Sequence, residues 1–114
     1  MNNVVLIGRL TKTPELKEVG ESKVINFSLA VARPYKNKDG EVDTDFINCS
    51  IWNASAENMK EFCEKGDLLA VEGSLYTSTY EKDEVIHYKT EVRVDRVRFL
   101  QPKKVDGRRR WRTV

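Results

Sequence analysis

The stretch of sequence that decides the fold is Asp43-Thr-Asp-Phe-Ile-Asn-Cys-Ser-Ile-Trp52. In a β-strand alternate side chains point to opposite faces, so Ile47, Cys49 and Ile51 share one face, which is typical of a core. The opposite face carries Thr44, Phe46, Asn48, Ser50 and Trp52. Aromatics among small polar residues suit a surface on which flat ligands stack, and nucleic-acid bases are the commonest such ligands. The alternative is a strand buried on both faces, or one whose aromatics pack beneath a loop.

Length and composition indicate one folded domain. The chain has 114 residues, of which 39% are hydrophobic and 33% charged, which is enough for a core without disulfide or metal support. No apolar run approaches the roughly 20 residues of a membrane helix, and the N-terminus lacks the features of a signal peptide. Cys49 and Cys63 both read as small buried hydrophobes, although the sequence leaves a disulfide open. We therefore expect a cytoplasmic protein, associated with the nucleoid if it binds DNA.

The charge of the chain is uneven. The formal net charge is +2, yet residues 103–114 contain six basic side chains and one acidic one, which leaves −3 for residues 1–102. We predict a folded domain over residues 1–102 and a disordered basic tail over residues 103–114. A basic run with an aromatic suits a nucleic-acid strand or an acidic partner, and the alternative is a solubilising tail. The predicted tail contacts are Arg108, Arg109, Arg110, Trp111 and Arg112.

Two strands are predicted before the deciding stretch. Residues 3–11 form a buried strand in which Gly8 marks a bend or bulge, so that one strand can serve two sheets. Residues 22–33 alternate apolar residues with a second face that is small throughout. That small face leaves room for a ligand to lie across it.

A short helix is predicted after the deciding stretch. Asn53 or Ser55 can cap its start and Gly66 can end it. Met59, Phe62 and Cys63 recur at the spacing of one helical face, which indicates a helix that closes one end of the core.

Two further strands follow the helix, over residues 67–80 and 85–100. Gly73 suggests a bend in the first, and the hydrophobic phase shifts at Asp95-Arg96, which indicates a bulge in the second. Their predicted inward or in-phase residues include Leu75, Ile86 and Tyr88.

Three more aromatics lie among polar or basic residues. Tyr35 stands in a predicted loop over residues 33–40, and Tyr76 and Tyr80 alternate with hydroxyls on the fourth predicted strand. Such aromatics suit base stacking, and nearby cations suit phosphate contacts. A solvated hairpin tip is the alternative for the Tyr35 loop. The predicted phosphate contacts are Arg9, Arg33, Lys36, Lys38 and Lys65.

The order of three strands, one helix and two strands predicts an all-β fold, a five-stranded OB barrel with one short helix between strands three and four. In that fold the exposed face around strands two and three, with its flanking loops, binds oligonucleotides. The aromatics described above, on strand three, in the loop before it and on strand four, converge on that face.

Several stretches also match a known family, among them Asn3-Val-Val-Leu-Ile-Gly-Arg-Leu10, Asn26-Phe-Ser-Leu-Ala-Val-Ala32, Phe46-Ile-Asn-Cys-Ser-Ile-Trp52, Val71-Glu-Gly-Ser-Leu75 and Thr90-Glu-Val92. Over about residues 3–100 the chain resembles the bacterial and phage single-stranded DNA-binding proteins. The resemblance implies base stacking at positions matching Tyr35, Phe46, Trp52 and Tyr80, to which the residue pattern adds Tyr76. It also implies a homo-oligomer, usually a tetramer built from dimers.

The sequence departs from the family in two respects. At several positions where the family commonly has Lys or Arg, this chain has other residues, namely Asn48, Ala54, Tyr76, Ser78 and Thr79. We therefore expect a weaker grip on the DNA backbone and a shallower salt dependence, unless the tail compensates. A basic end stands where the family has an acidic tip that recruits replication and repair enzymes, which leaves such partners open.

Two functions follow as hypotheses. The first is non-enzymatic, largely sequence-independent binding and protection of single-stranded DNA in replication, recombination or repair. The alternative is an OB-fold protein-interaction module of a replication-restart or primosome complex that binds DNA weakly. No catalytic residue, cofactor or metal site is predicted, because the one histidine, His87, lies in no ligand pattern and no glycine loop could cradle a phosphate. Base stacking does not distinguish DNA from RNA, so the sequence leaves the preference between them open.

Overall fold

The computed structural model describes residues 1–100, 103–105 and 108–110. Its elements are β1 (Val4–Leu10), β2 (Lys17–Val19), β3 (Ser22–Lys36), β4 (Val42–Trp52), α1 (Asn53–Phe62), β5 (Leu68–Lys82), β6 (Val85–Phe99), β7 (Lys103–Val105) and β8 (Arg108–Arg110). The five predicted strands and the helix between the third and fourth are confirmed. The short strand β2, which pairs with the start of β3, was not predicted.

The long strands pair into a closed ring in the order β1, β5, β6, β4, β3 and back to β1. Every pairing in this ring is antiparallel except that of β4 with β6, which is parallel and joins Cys49 to Val92 and Ser50 to Arg93. This parallel contact closes the ring. It also sets the deciding stretch, β4, between β3 and β6.

Gly8 allows β1 to pair with two neighbours. Residues Val4 to Arg9 pair with β5, and Arg9 and Leu10 pair with β3. A Cβ atom on Gly8 would collide with the backbone carbonyl of Ala30 on β3. The glycine therefore permits the close approach that the crossing requires, which confirms the prediction that this strand serves two sheets.

The predicted bulge in the last strand is confirmed. Glu72 pairs with Arg96 and the next residue, Gly73, pairs with Val94, so that Asp95 is the extra residue on β6. Beyond this point β5 and β6 pair mainly with each other and continue as a two-stranded ribbon. The prediction that Leu75 faces the core is therefore wrong, because the ribbon extends past the core. Leu75, Ile86 and Tyr88 are all exposed.

The core lies inside the ring and beneath α1. Ile25, Leu29, Ile51 and Leu69 are fully buried within it, and Met59 from α1 closes one end. Of the residues described, no helix is long and apolar enough to cross a bilayer.

The predicted helix caps are wrong. No side-chain hydrogen bond caps the start of α1, and the Oδ1 atom of Asn53 instead accepts a hydrogen bond from the backbone N–H of Lys23 on β3, at 3.1 Å. Gly66 lies beyond the end of α1 with a φ of 91°, and its N–H donates to the carbonyl of Leu10 at 2.8 Å. Both residues tie the helix region to neighbouring strands, a tertiary role that local sequence does not reveal.

Candidate nucleic-acid interface

One side of the sheet formed by β3, β4, β6 and β5 carries the candidate site, and we call it the outer face. Residues paired across a ladder place their side chains on the same face, so the register defines its members. On β3 and β4 the pairs are Asn26 with Ser50, Ser28 with Asn48, Ala30 with Phe46 and Val24 with Trp52. On β5 and β6 they are Ser74 with Arg93, Tyr76 with Glu91, Ser78 with Lys89 and Tyr80 with His87. The parallel pair of Ser50 with Arg93 joins the two halves.

The two aromatics of β4 differ in exposure. Phe46 is 67% exposed opposite the small Ala30. Trp52 is half-buried, and its indole Nε1 atom is buried without a hydrogen-bond partner in the described structure. Ser50 between them is buried, and its hydroxyl is likewise unpartnered there. Phe46 and Trp52 lie six residues apart on the strand, or about 20 Å at the rise of a β-strand.

The two aromatics of β5, Tyr76 and Tyr80, are both exposed on the ribbon. The ring of Tyr80 stacks on that of His87, with centroids 5.1 Å apart and planes 15° from parallel. His87 therefore supports a predicted stacking residue. The sequence alone places His87 in no ligand pattern and gives it no role.

Tyr35 lies on β3 rather than in a loop, so the predicted loop boundary is wrong. The strand runs on through Pro34 to Lys36, with an irregular register between Ala32 and Lys36. Tyr35 is exposed near this end of the strand. Lys36 and Lys38 are exposed in the same hairpin, whose turn is closed by the N–H of Asn37 donating to the carbonyl of Glu41.

Arg33 is engaged by acidic neighbours. Its Nε and Nη2 atoms donate to the two carboxylate oxygens of Asp45 at 3.0 and 2.9 Å, and Asp43 lies 3.9 Å from Nη1. The hydrogen bond from Arg33 holds the pKa of Asp45 below its usual value. A phosphate would have to compete with this bidentate pair for the guanidinium.

The other predicted cations lie near a groove of about 800 Å³ beside the outer face. Lys65 lines it, while Arg9 donates from Nη1 to the carbonyl of the adjacent Gly66 at 3.0 Å. Three more lysines line the groove and were not predicted, namely Lys12, Lys17 and Lys89. Its other polar residues include Asn26, Ser28, Asn48, Glu15 and Glu91. Lys12 and Lys17 lie in one segment, whereas Lys65 and Lys89 come from two others, so the four lysines form no single cluster in the sequence.

Arg93 was also missed. The Cζ atom of its guanidinium lies 4.2 Å from the centroid of the Tyr76 ring and 6.0 Å from that of Trp52. The three residues line a second cavity of about 290 Å³, together with Ser55, Ser74, Val94 and Asp95. Alternation along β6 marks Arg93 as outward-facing, but only the parallel register of β4 with β6 brings it beside Trp52.

The predicted tail contacts cannot be placed on this surface. Trp111 and Arg112 lie outside the described residues, and of Arg108, Arg109 and Arg110 only the backbone is described, where β8 pairs with β7. Within residues 1–100 and the two short strands that follow, no group of three or more His, Cys, Asp or Glu residues is placed to hold a metal ion.

A closed five-stranded ring, a single helix after its third long strand and an aromatic outer face define an OB-fold protein of the oligonucleotide-binding class. Residues 1–100 match the model of the single-strand binding protein family. The chain belongs to this family.

Individual relatives agree with this assignment. The chain is 44% identical to single-stranded DNA-binding protein B of Bacillus subtilis, over 90% of this chain and 92% of that protein. It is 47% identical to single-stranded DNA-binding protein 3 of Listeria innocua, over 90% of this chain and 66% of that protein. It is 45% identical to the single-stranded DNA-binding protein of Bacillus cereus, over 96% of this chain and 66% of that protein. The chain thus spans about two thirds of the latter two relatives.

Proposed function

We propose that this protein binds and protects single-stranded DNA, largely without regard to sequence, by stacking bases on the outer face and holding phosphates in the adjoining groove. The observation that carries the proposal is the exposed ring of Phe46 on the outer face, opposite the small Ala30 and on the same side of β4 as the polar Asn48 and Ser50. Family membership supports it, because the relatives are named for this activity. The protein is a binding protein and not an enzyme.

Stacking supplies the sequence-tolerant part of the affinity. Phe46, Trp52, Tyr76 and Tyr80 share the outer face, and Tyr35 extends the aromatic series near the end of β3. Every base has a flat face, so each stack contributes about 1–3 kcal/mol whichever base is bound. The small side chains of Asn26, Ser28 and Ala30 leave space above the sheet for the strand.

Phosphate contacts supply the salt-dependent part. Lys12, Lys17, Lys65 and Lys89 converge on one groove although residues 1–102 carry a net charge of −3. Each phosphate that a lysine neutralises steepens the dependence of log affinity on log salt by about 0.7 for a single strand. Lys36, Lys38 and Arg9 are further candidates at the margins, and Arg33 joins them only if its pair with Asp45 opens.

The remaining features of the proposal rest on the family. Its members usually form homo-oligomers, and we extend this to a tetramer built as a dimer of dimers. The DNA roles proposed are replication, recombination and repair, in the cytoplasm and in association with the nucleoid. Protein partners in those processes belong to the same proposal.

The test is a tryptophan-fluorescence titration with oligo-dT on the full chain carrying Trp111→Phe, which leaves Trp52 as the sole tryptophan. Strong quenching by the single strand, with little competition from duplex DNA, is the expected result. Equal competition by duplex, together with complete loss of binding at high salt, would mean nonspecific polycation binding and would contradict the stacking face. No binding under any condition would favour the protein-interaction module.

A further inference from the structure

We propose that Arg93 is a DNA-contact residue. Its guanidinium covers one side of Tyr76, stacks on a base that lies beside Trp52, and contacts the phosphate next to that base. This inference deepens the proposed function and rests on it. It concerns a residue on the strand that closes the ring, and no sequence pattern marked this residue as a DNA contact.

The position of the guanidinium is the first argument. With its Cζ atom 4.2 Å from the centroid of Tyr76, it lies over one side of that ring. A base could stack on that side only by displacing a cation held by the ring's electron density. A guanidinium plane is itself a surface on which unpaired bases stack. On the covered side of Tyr76, the guanidinium of Arg93 and not the tyrosine ring is therefore the group that faces the DNA.

The surroundings of the guanidinium are the second argument. The ring centroid of Trp52 lies 6.0 Å from Cζ, and both residues line the cavity of about 290 Å³. Ser55 and Ser74, which carry hydroxyl groups, line the same cavity. A base at Trp52 would thus have a cation and hydrogen-bonding groups beside it.

The weak ion pair made by the guanidinium is the third argument. The ion pair described for Arg93 joins Nε to an oxygen of Glu91 at 3.8 Å, which is longer than a hydrogen bond. Arg33 by contrast makes two hydrogen bonds to Asp45, at 2.9 and 3.0 Å. A phosphate would therefore displace less at Arg93 than at Arg33, since a long, half-exposed ion pair is weak.

The test uses the full chain and compares Arg93→Ala and Arg93→Lys with the control Arg98→Ala and the reference Trp52→Ala. Arg98 is exposed on the same strand, opposite Ala70, and lines neither cavity. Binding of labelled oligo-dT is followed by anisotropy across a salt series, and thermal unfolding of each variant is recorded.

We expect Arg93→Ala to bind about tenfold more weakly, with a salt slope smaller by about 0.7, because it loses both a stacking surface and a phosphate contact. Arg93→Lys should keep the slope, since it keeps the charge, yet still lose affinity, since it lacks the planar group. Arg98→Ala should match the parent chain.

Three results would overturn the inference. If both Arg93 variants bind like the parent while Trp52→Ala loses affinity, the stacking face stands and Arg93 has no part in it. If Arg93→Ala loses affinity with an unchanged slope, Arg93 acts only by supporting Tyr76. Should Trp52→Ala also bind like the parent, the proposed stacking face itself is wrong, and the inference fails with it.

Discussion

Arg33 and Asp45 form a bidentate pair across β3 and β4, with the Nε and Nη2 atoms of Arg33 donating to the two carboxylate oxygens of Asp45 at 3.0 and 2.9 Å. The pair lies at the same end of these strands as Tyr35 and Phe46. It satisfies a guanidinium that the sequence predicts to contact phosphate. If Arg33 contacts phosphate as predicted, Asp45 competes with the DNA for its guanidinium.

Replacing Asp45 with Asn should therefore strengthen binding. Asp45→Asn removes a negative charge from β4 and releases Arg33, and we expect about a two- to fivefold gain in affinity with a salt slope steeper by about 0.7. Titration with oligo-dT across a salt series measures both. Glu61→Gln, on the exposed side of α1, makes the same change in net charge and serves as the control. Equal gains in the two variants would show a general charge effect and would contradict the local explanation.

The same pair should make stability depend on acid. The hydrogen bond from Arg33 lowers the pKa of Asp45 in the folded state, so the pair stabilises the fold above the unfolded pKa, about 3.9. That stabilisation is lost as pH falls through the lower folded pKa. We expect the free energy of unfolding of the parent chain to fall more steeply below about pH 4 than that of Asp45→Asn. Urea unfolding of both chains at a series of pH values measures this. An equal fall of the free energy of unfolding in the two chains would refute the prediction.

Removing the ring of Phe46 should weaken DNA binding without unfolding the protein. The ring is exposed opposite Ala30, so Phe46→Ala costs little packing, while the lost stack costs about 1–3 kcal/mol of binding free energy. The control is Tyr88→Ala, which removes an 80% exposed ring from the opposite side of the β5–β6 ribbon. Oligo-dT titration compares the affinities of the two variants. A larger loss of affinity for Tyr88→Ala would mean that DNA binds the side of the sheet opposite to the outer face.

Adding a single methyl group at Gly73 should destabilise the fold. A Cβ atom there would collide with the carbonyl of Arg93 on the paired strand, so the ladder must shift. We expect Gly73→Ala to lower the free energy of unfolding by about 1–3 kcal/mol, as overpacking does. Chemical denaturation measures it, with Ser74→Ala at the next position as the control. If Gly73→Ala is as stable as the parent, the close approach of β5 and β6 is not required.

The buried thiol of Cys49 should make the protein sensitive to alkali. Burial raises the pKa of Cys49 to about 12, with a smaller contribution from the charge of Glu91. Between an unfolded pKa of about 8.5 and that value the thiol ionises only when the chain unfolds, so stability falls as pH rises through this range. Cys49→Ala should show a shallower alkaline decline in unfolding experiments. An identical decline in both chains would mean that other groups cause it.

Local sequence predicted the five long strands, the helix and the side of β4 on which each residue lies. Alternation in residues 43–52 placed Cys49 and Ile51 inside and Phe46 outside, and Gly8 and the phase shift at Asp95-Arg96 marked the bend and the bulge that the structure contains. These features are readable because the period of two belongs to the strand itself and depends on no partner.

Contacts between strands distant in sequence were decided by the tertiary structure alone. The parallel register of β4 with β6 brings Arg93 beside Trp52, and the closed ring collects Lys12, Lys65 and Lys89 around one groove. The contact of Arg33 with Asp45 depends on how β3 pairs with β4, and Tyr88 is exposed because the β5–β6 ribbon extends past the core. A residue's side of its strand follows from its own position in the chain. Its neighbour across the sheet depends on the register, which is set only when all the strands pack around one core.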